Sequence, residues 1–242
     1  MSMDIYAIGD LHLSLSPDVD KPMDVFGEGW VNHPDRLREA WGNVIDEDDT
    51  VIIPGDISWA LKLDGAMPDL EYVDSLPGHK VIIKGNHDLW WTGITKLNGL
   101  FESITFLQNT TYTIPDTGIS ICGTRGWISP GTEGFDSQDN KIYNRETMRL
   151  ERSLKAAKDQ AAEDIIGVMH YPPTNDKKQS SAFTKLFEEY GASTVVYGHL
   201  HGRESFGCGI QGVLNGVDYK LVSLDYLDCV PVRIRQEVKN DR

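Results

Sequence analysis

Long hydrophobic runs are missing from this sequence. No apolar stretch reaches the ~20 residues that cross a bilayer, so membrane spanning is not expected. Met1 to Ile8 lead straight into an apolar, strand-like segment with no basic stretch, apolar leader core or small-residue cleavage site. A secretory signal is therefore not expected, and the cytoplasm is the default address. Cysteine is scarce: Cys122, Cys208 and Cys229 are odd in number and lack the pair spacing of metal or redox motifs, as in proteins whose thiols stay reduced. Positive charge is in short supply too, with 23 Lys and Arg against 37 Asp and Glu and a formal net charge of -14. Phosphate backbones are gripped by clustered Lys and Arg, so no extended nucleic-acid partner is expected and small phosphoesters fit better. No repeat, low-complexity tract or Gly/Ser/Pro linker divides the chain, and residues 1–242 are expected to form a single domain.

The 40% hydrophobic content is sufficient for a substantial core, and its patterning mixes two periods. Short β-branched runs at Ile5 to Ile8, Val51 to Ile53, Val81 to Lys84, Ile119 to Cys122, Ile165 to Met169 and Val195 to Tyr197 read as strands buried on both faces. Helical spacing marks Leu37, Trp41, Val44 and Ile45, with Pro34 near the start, then Tyr143 to Ala161, and a third helix beginning near Ser180. Beyond His201, apolar segments separated by Gly and Asn turns predict antiparallel hairpins. Together these predict a layered α/β architecture with mixed sheets.

One local grammar recurs: an apolar strand, usually a glycine, then a side chain able to bind metal. It occurs in Ile8-Gly9-Asp10-Leu11-His12, Pro54-Gly55-Asp56, Lys84-Gly85-Asn86-His87-Asp88, Val168-Met169-His170 and Tyr197-Gly198-His199-Leu200-His201. Ligands gather outside the carboxyl ends of strands in open α/β sheets, so these ends are expected to converge. Asp10 and His12, like His199 and His201, are two apart, and an extended backbone would aim both members of each pair the same way.

Carboxylate, amide and imidazole donors without thiolate suit Mn, Fe or Zn. One ion cannot use seven protein ligands and still bind substrate, whereas two ions can share a carboxylate and keep open positions. Asp56, alone in its motif, is the expected bridge between an ion on Asp10, His12 and His201 and another on Asn86, His170 and His199. Water held between two such ions ionises near neutral pH and becomes a nucleophile suited to phosphorus. His87 follows Asn86 directly and is the expected general acid, with Asp88 orienting it.

In order and in kind, these residues resemble the motifs of the calcineurin-like metallophosphoesterases: Asp-x-His, Gly-Asp, Gly-Asn-His-Asp/Glu, His and Gly-His-x-His. The match runs from Asp10 to His201, and each ligand position has a counterpart. The resemblance implies a four-layer α-β-β-α sandwich with two central mixed sheets, a dinuclear centre and phosphoester hydrolysis, and it suggests the same division of ligands. The family's Ser/Thr phosphatases carry an arginine shortly after the second-motif aspartate, but here Ile57-Ser58-Trp59 follow. Trp59 also stands where purple acid phosphatases place an iron-binding tyrosine, and its indole cannot be a phenolate. In these terms the sequence more closely resembles the bacterial predicted phosphohydrolases, whose substrate is unknown.

Other residues carry weaker signals. Arg125, after another strand end, offers a guanidinium for a phosphate oxygen or for a structural ion pair. Trp59, Trp90 and Trp91 offer stacking surfaces or packing. His33 lies within reach of substrate or on the surface, and His79 reads as a solvated turn residue. The stretches from Leu13 to Pro34 and from Trp127 to Tyr143 are expected to frame the pocket mouth. The expected activity is a phosphodiesterase acting on a small or nucleotide-like phosphoester; the alternatives are a phosphomonoesterase and a non-catalytic binding scaffold on the same fold.

Overall fold

A computed structural model describes residues 2–238. Its first sheet contains β1 (Ser2–Ala7), β2 (Thr50–Ile53), β3 (His79–Ile83) and β4 (Ile104–Leu107), with the last strand, β11 (Val232–Val238), on its outer edge in the order β11-β1-β2-β3-β4. The second sheet contains β5 (Thr111–Thr113), β6 (Ile119–Thr124), β7 (Asp164–Met169), β8 (Ala192–Tyr197), β9 (Gly212–Leu214) and β10 (Val217–Leu221), in the order β5-β6-β7-β8-β10-β9. Both are mixed. Strands β1 to β4 are parallel, as are β6, β7, β8 and β10, while β11, β5 and β9 are antiparallel to their neighbours.

Side-chain alternation explains the layering. Ile5, Ala7, Ile52, Val81 and Ile83 meet Ile121, Ile166, Val168 and Val196 in a core between the sheets. The intervening residues of the first sheet, Tyr6, Ile8, Val51, Ile53 and Ile82, pack under α1 (His33–Val44) and α2 (Leu63–Asp74). On the far side, Ile165, Met169, Val195 and Tyr197 pack under α4 (Ser137–Asp159) and α5 (Ala182–Tyr190). A short helix, α3 (Ile94–Leu97), precedes β4. Strands buried on both faces need no polar alternation, hence their continuous apolar runs; each fully buried side chain contributes roughly 1.5–3 kcal/mol. The result is the four-layer α-β-β-α sandwich.

Local caps fix the helices on the second sheet. Ser181 accepts from the amides of Phe183 and Thr184 as the N-cap of α5, and Gly191 closes that helix at φ 69°. Asp136 and Asp139 form a reciprocal capping box at the start of α4.

Two expectations need correction. The segments after His201 form one antiparallel hairpin, β9-β10, but β10 pairs parallel to β8, and β11 crosses to the first sheet beside β1. His79 is half-buried, bonded to Thr105 Oγ1 at 2.8 Å and stacked on Tyr112 at 5.0 Å between centroids. Among the described residues, no helix is long and apolar enough to cross a membrane.

Candidate metal centre

Because β1, β2 and β3 run parallel in one sheet and β7 and β8 in the other, their carboxyl ends deliver Asp10, Asp56, Asn86, His170 and His199 to one edge of the sandwich. The two sheets are tied together there. The His199 amide donates to both oxygens of Asp10, at 3.1 and 2.9 Å, and His170 Nδ1 lies 2.9 Å from the Pro54 carbonyl. All seven expected ligands meet in this cluster.

Distances divide it into two groups around one oxygen, with Asp10 in reach of both, since its Oδ1 also lies 3.6 Å from His170 Nδ1. On one side, His12 Nε2 and His201 Nε2 lie 3.3 Å apart, with His201 Nε2 3.8 Å from Asp10 Oδ1. On the other, His170 Nε2 lies 2.6 Å from Asn86 Oδ1 and 3.2 Å from His199 Nδ1. Asp56 Oδ2 stands between them, 3.7 Å from His12 Nε2 and 3.4 Å from His170 Nε2.

Backbone geometry departs from the extended form expected for the Asp-x-His and His-x-His pairs. Asp10, His12, Asp56 and His199 have φ of 58°, 44°, 53° and 72°, all in the left-handed region. Such residues cost on the order of 1–3 kcal/mol each and persist where the surroundings over-determine them. Here the loops zip together: the amides of Asp10, His12 and Leu13 donate to the carbonyls of Gly55, Asp56 and Ile57 at 3.0, 2.9 and 2.8 Å. Two glycines are required by contact. A Cβ on Gly85 would lie 2.0 Å from Asp56 Oδ1, and one on Gly198 would lie 2.2 Å from Asp10 Oδ2.

The donor set fits divalent transition metals. His170 Nδ1 faces the Pro54 carbonyl and His201 Nδ1 faces Asp225 Oδ1 at 3.0 Å, so each outer nitrogen is the N–H and each Nε2 lone pair points inward. Inward lone pairs 3.2–3.3 Å from another imidazole nitrogen are reconciled by a shared cation. Burial drives the His170 pKa down to about 3 and that of His199 down to about 2, and it holds His12 well below the ordinary imidazole range. These rings are neutral, as ligands must be. Burial, reinforced by the charge of Asp56, pushes Asp10 up to about 7; burial also raises Asp56. Burial opposes an imidazolium at His201, yet Asp225, Asp10 and Asp56 outweigh it and raise its pKa. His201 is one partial counter-charge for two buried carboxylates beside otherwise neutral imidazoles, and bound cations would supply the rest.

The remaining assignments divide. His87 is exposed, its amide donating to Asp56 Oδ1 at 2.8 Å and its ring 4.4 Å from that of Trp59. Trp59 also stacks on His12 at 4.7 Å, so it braces two site imidazoles. Asp88 does not act as expected. It is fully buried and accepts from the amides of Gly85, Asp56, Ile57 and Ser58 and from Trp90 Nε1, at 2.7–3.4 Å, stapling the second and third loops together. With both oxygens so engaged, it is a loop fastener rather than an orienter of the His87 ring. His33 is neither on the surface nor in reach of substrate: it opens α1, is 4% exposed, and has its ring nitrogens 3.1 and 3.0 Å from the carbonyls of Trp30 and Leu11.

Asp225 and Tyr171 had not been anticipated. Asp225, from the chain after β10, holds His201, and the Tyr171 ring packs 4.1 Å from that of His199. No local motif marks Asp225; Tyr171 adjoins a ligand but carries no ligand chemistry. An open cleft of about 1230 Å³ leads from His12, His87 and His201 past Trp30, Trp59 and Tyr226. Its walls come from residues 23–30, as expected, and from residues 202–228 rather than from 127–143.

The calcineurin-like phosphoesterase profile matches residues 3–203, and the chain belongs to this family. Among curated proteins, it is similar to the gene 66 protein of Mycobacterium phage L5, 43% identical over 56 residues that make up 23% of this chain. That match spans only 27% of the phage protein. Among solved structures, TT1561 of Thermus thermophilus superposes with a TM-score of 0.55 at 13% identity, covering 83% of each chain. Phosphopantetheinyl hydrolase from Mycobacterium tuberculosis gives 0.50 at 17% identity, covering 92% of this chain and 89% of its own. AQ665 of Aquifex aeolicus, a protein of unknown function, gives 0.50 at 17%, with 96% and 95% covered. At these identities the structural likenesses speak for the fold.

Proposed function

We propose that this protein is a dinuclear-metal phosphoester hydrolase that acts on a small or nucleotide-like phosphodiester. The observation that carries this reading is the placement of Asp56 Oδ2 between the His12 and His170 nitrogens, 3.7 and 3.4 Å away, with further candidate ligands on each side. His12, His201 and Asp10 would hold one ion; Asn86, His170 and His199 would hold the other; Asp56 would be shared. Mn, Fe or Zn suits the mixed oxygen and nitrogen donors. When bound, such a pair supplies Lewis-acid charge for the phosphoryl oxygens and activates the attacking water.

The chain's own residues would do the rest. His87, exposed at the cleft wall, would donate a proton to the leaving oxygen, and Trp59 fixes its ring. Asp88 would hold the Asp56 and Asn86 loops at fixed separation, so the ligands need little reorganisation. The cleft of about 1230 Å³ gives the second substituent of a diester room to lie. That space, and the absence of the Ser/Thr-phosphatase arginine after Asp56, favour diesters.

The test is turnover of matched monoester and diester reporters by metal-quantified protein loaded with Mn, Fe or Zn, with Asp56→Asn as the control. Faster diester turnover that is abolished in the control is expected. Higher kcat/KM on monoesters would overturn the diester assignment, and a fully loaded protein inactive on every ester would leave a binding scaffold instead.

A further inference from the structure

A second cavity, of about 360 Å³, opens on the same edge of the sandwich. The carboxyl ends of β3, β4 and β6 (Ile83, Leu107 and Thr124) form its floor, and α4 forms one wall. Its charge is opposite to that of the protein. Lys84, Arg125, Arg145 and Arg149 line it, with Glu146 as the acid among the lining residues, in a chain whose formal net charge is -14.

Glu146 organises these cations rather than neutralising them. Fully buried, it accepts from Thr124 Oγ1 at 2.6 Å and from Arg149 at 2.8 Å, with Arg145 and Arg125 nitrogens at 3.5 and 3.9 Å. One carboxylate cannot balance four cations. Arg145 and Arg149 sit one turn apart on α4 and share the single Glu146 oxygen Oε1, which leaves most of their guanidinium donors free of it. Among the described residues, Arg125 Nε is buried without a hydrogen-bond partner, while its guanidinium lies over the Trp127 ring at 4.9 Å. A purely structural ion-pair network would be expected to match its charges and close its donors.

Arg125 also joins this cavity to the metal centre. Its carbonyl accepts from the His170 amide at 3.2 Å, and Lys84 lies two residues before Asn86. We infer that the cavity bounded by Lys84, Arg125, Arg145 and Arg149 binds a second phosphate of the substrate, beside the one being hydrolysed. Guanidinium forks suit such a group because they give bidentate, charge-assisted hydrogen bonds. The preferred substrate class is then a phosphoester carrying a further terminal phosphate. This rests on the proposed hydrolysis.

The experiment has two arms. Inorganic phosphate is titrated calorimetrically at pH 8 into chelator-treated protein, where no metal ion competes for the anion; one saturable site is expected, weakened about tenfold in Arg145→Gln and further in Arg145→Gln/Arg149→Gln. The metal-loaded protein is then given p-nitrophenyl alkyl phosphodiesters of graded chain length ending in a hydroxyl or a phosphate. At one length the phosphate-ended ester should be favoured about tenfold in kcat/KM, and the ratio should fall towards one in both variants. Arg145 is half-exposed, so the single variant should fold even where the double variant does not. Absence of saturable phosphate binding, or binding equal in wild type and Arg145→Gln, overturns the site. Binding without a substrate preference overturns the substrate assignment and gives the cavity to free phosphate. Inactivity on every ester refutes the hydrolase reading, and the phosphate titration then decides the cavity by itself.

Discussion

Replacing Asp225 by Asn should weaken one of the two metal positions and leave the other nearly intact. Asp225 Oδ1 lies 3.0 Å from His201 Nδ1, and its other oxygen accepts from the Gly202 amide at 2.9 Å. Its hydrogen bonds and ion pair go to His201 and Gly202, not to Asn86, His170 or His199. An amide can still accept from Nδ1–H, so the ring orientation survives, but the negative charge that makes Nε2 a better donor is lost. Changes to such outer partners of a ligand cost about 10–100-fold in affinity, equivalent to about 1.4–2.7 kcal/mol. The loss should fall on the ion held by His12, His201 and Asp10. Titration of Mn or Zn against a chromophoric chelator would resolve the two affinities, with one curve displaced by that factor and the other within about twofold. Equal weakening at both positions, or none at either, would refute the division of ligands and the role given to Asp225.

Further expectations follow from the same geometry. Gly198→Ala would put a methyl group 2.2 Å from Asp10 Oδ2; overpacking of this kind costs about 1–3 kcal/mol, so Tm and metal content should fall together, and an unchanged value of either would contradict the close packing. Asp88→Ala removes the acceptor of five donors, each costing about 1–3 kcal/mol when buried and unmatched, so a large fall in Tm is expected; a fall in kcat at unchanged Tm would restore the orienting role towards His87. Metal binding should tighten from pH 6 to 8 and release protons. Asp10, raised to about 7, and His201, also raised, hold protons at pH 6 that a cation must displace, whereas His170 and His199, lowered to about 3 and about 2, hold none. Calorimetry in buffers of different ionisation enthalpy measures that release, and pH-independent affinity would contradict it.

How much was legible depended on how local the signal was. The strand-glycine-ligand segments could be read because strands buried on both faces are written as unbroken apolar runs and the ligands follow them directly. α5 is marked by the serines at its start, read as Ser180 and capped in the structure by Ser181, and by the apolar stripe of Phe183, Leu186, Phe187 and Tyr190. α2 was hidden because Gly65 and Pro68 interrupt its pattern, although Ala66, Leu70 and Val73 bury one face. β11 could not be placed, since its pairing with β1 joins opposite ends of the chain and no local pattern encodes it. Asp225 carries no local signal either, because a lone acid 24 residues beyond His201 belongs to no motif. The convergence of these side chains is legible in the sequence, but not its cause: left-handed turns at Asp10, His12 and His199, not extended backbone, aim them. His33 and Asp88 show why a polar residue near a motif does not declare its role. Both are buried and occupied by backbone groups, and only the fold reveals those partners.

Anomalous diffraction from crystals grown with manganese tests the central claim most directly. Two peaks about 3.5–4 Å apart are predicted, with Asp56 between them, one flanked by His12 and His201 and the other by Asn86, His170 and His199. A single peak, or peaks remote from Asp56, would contradict the account.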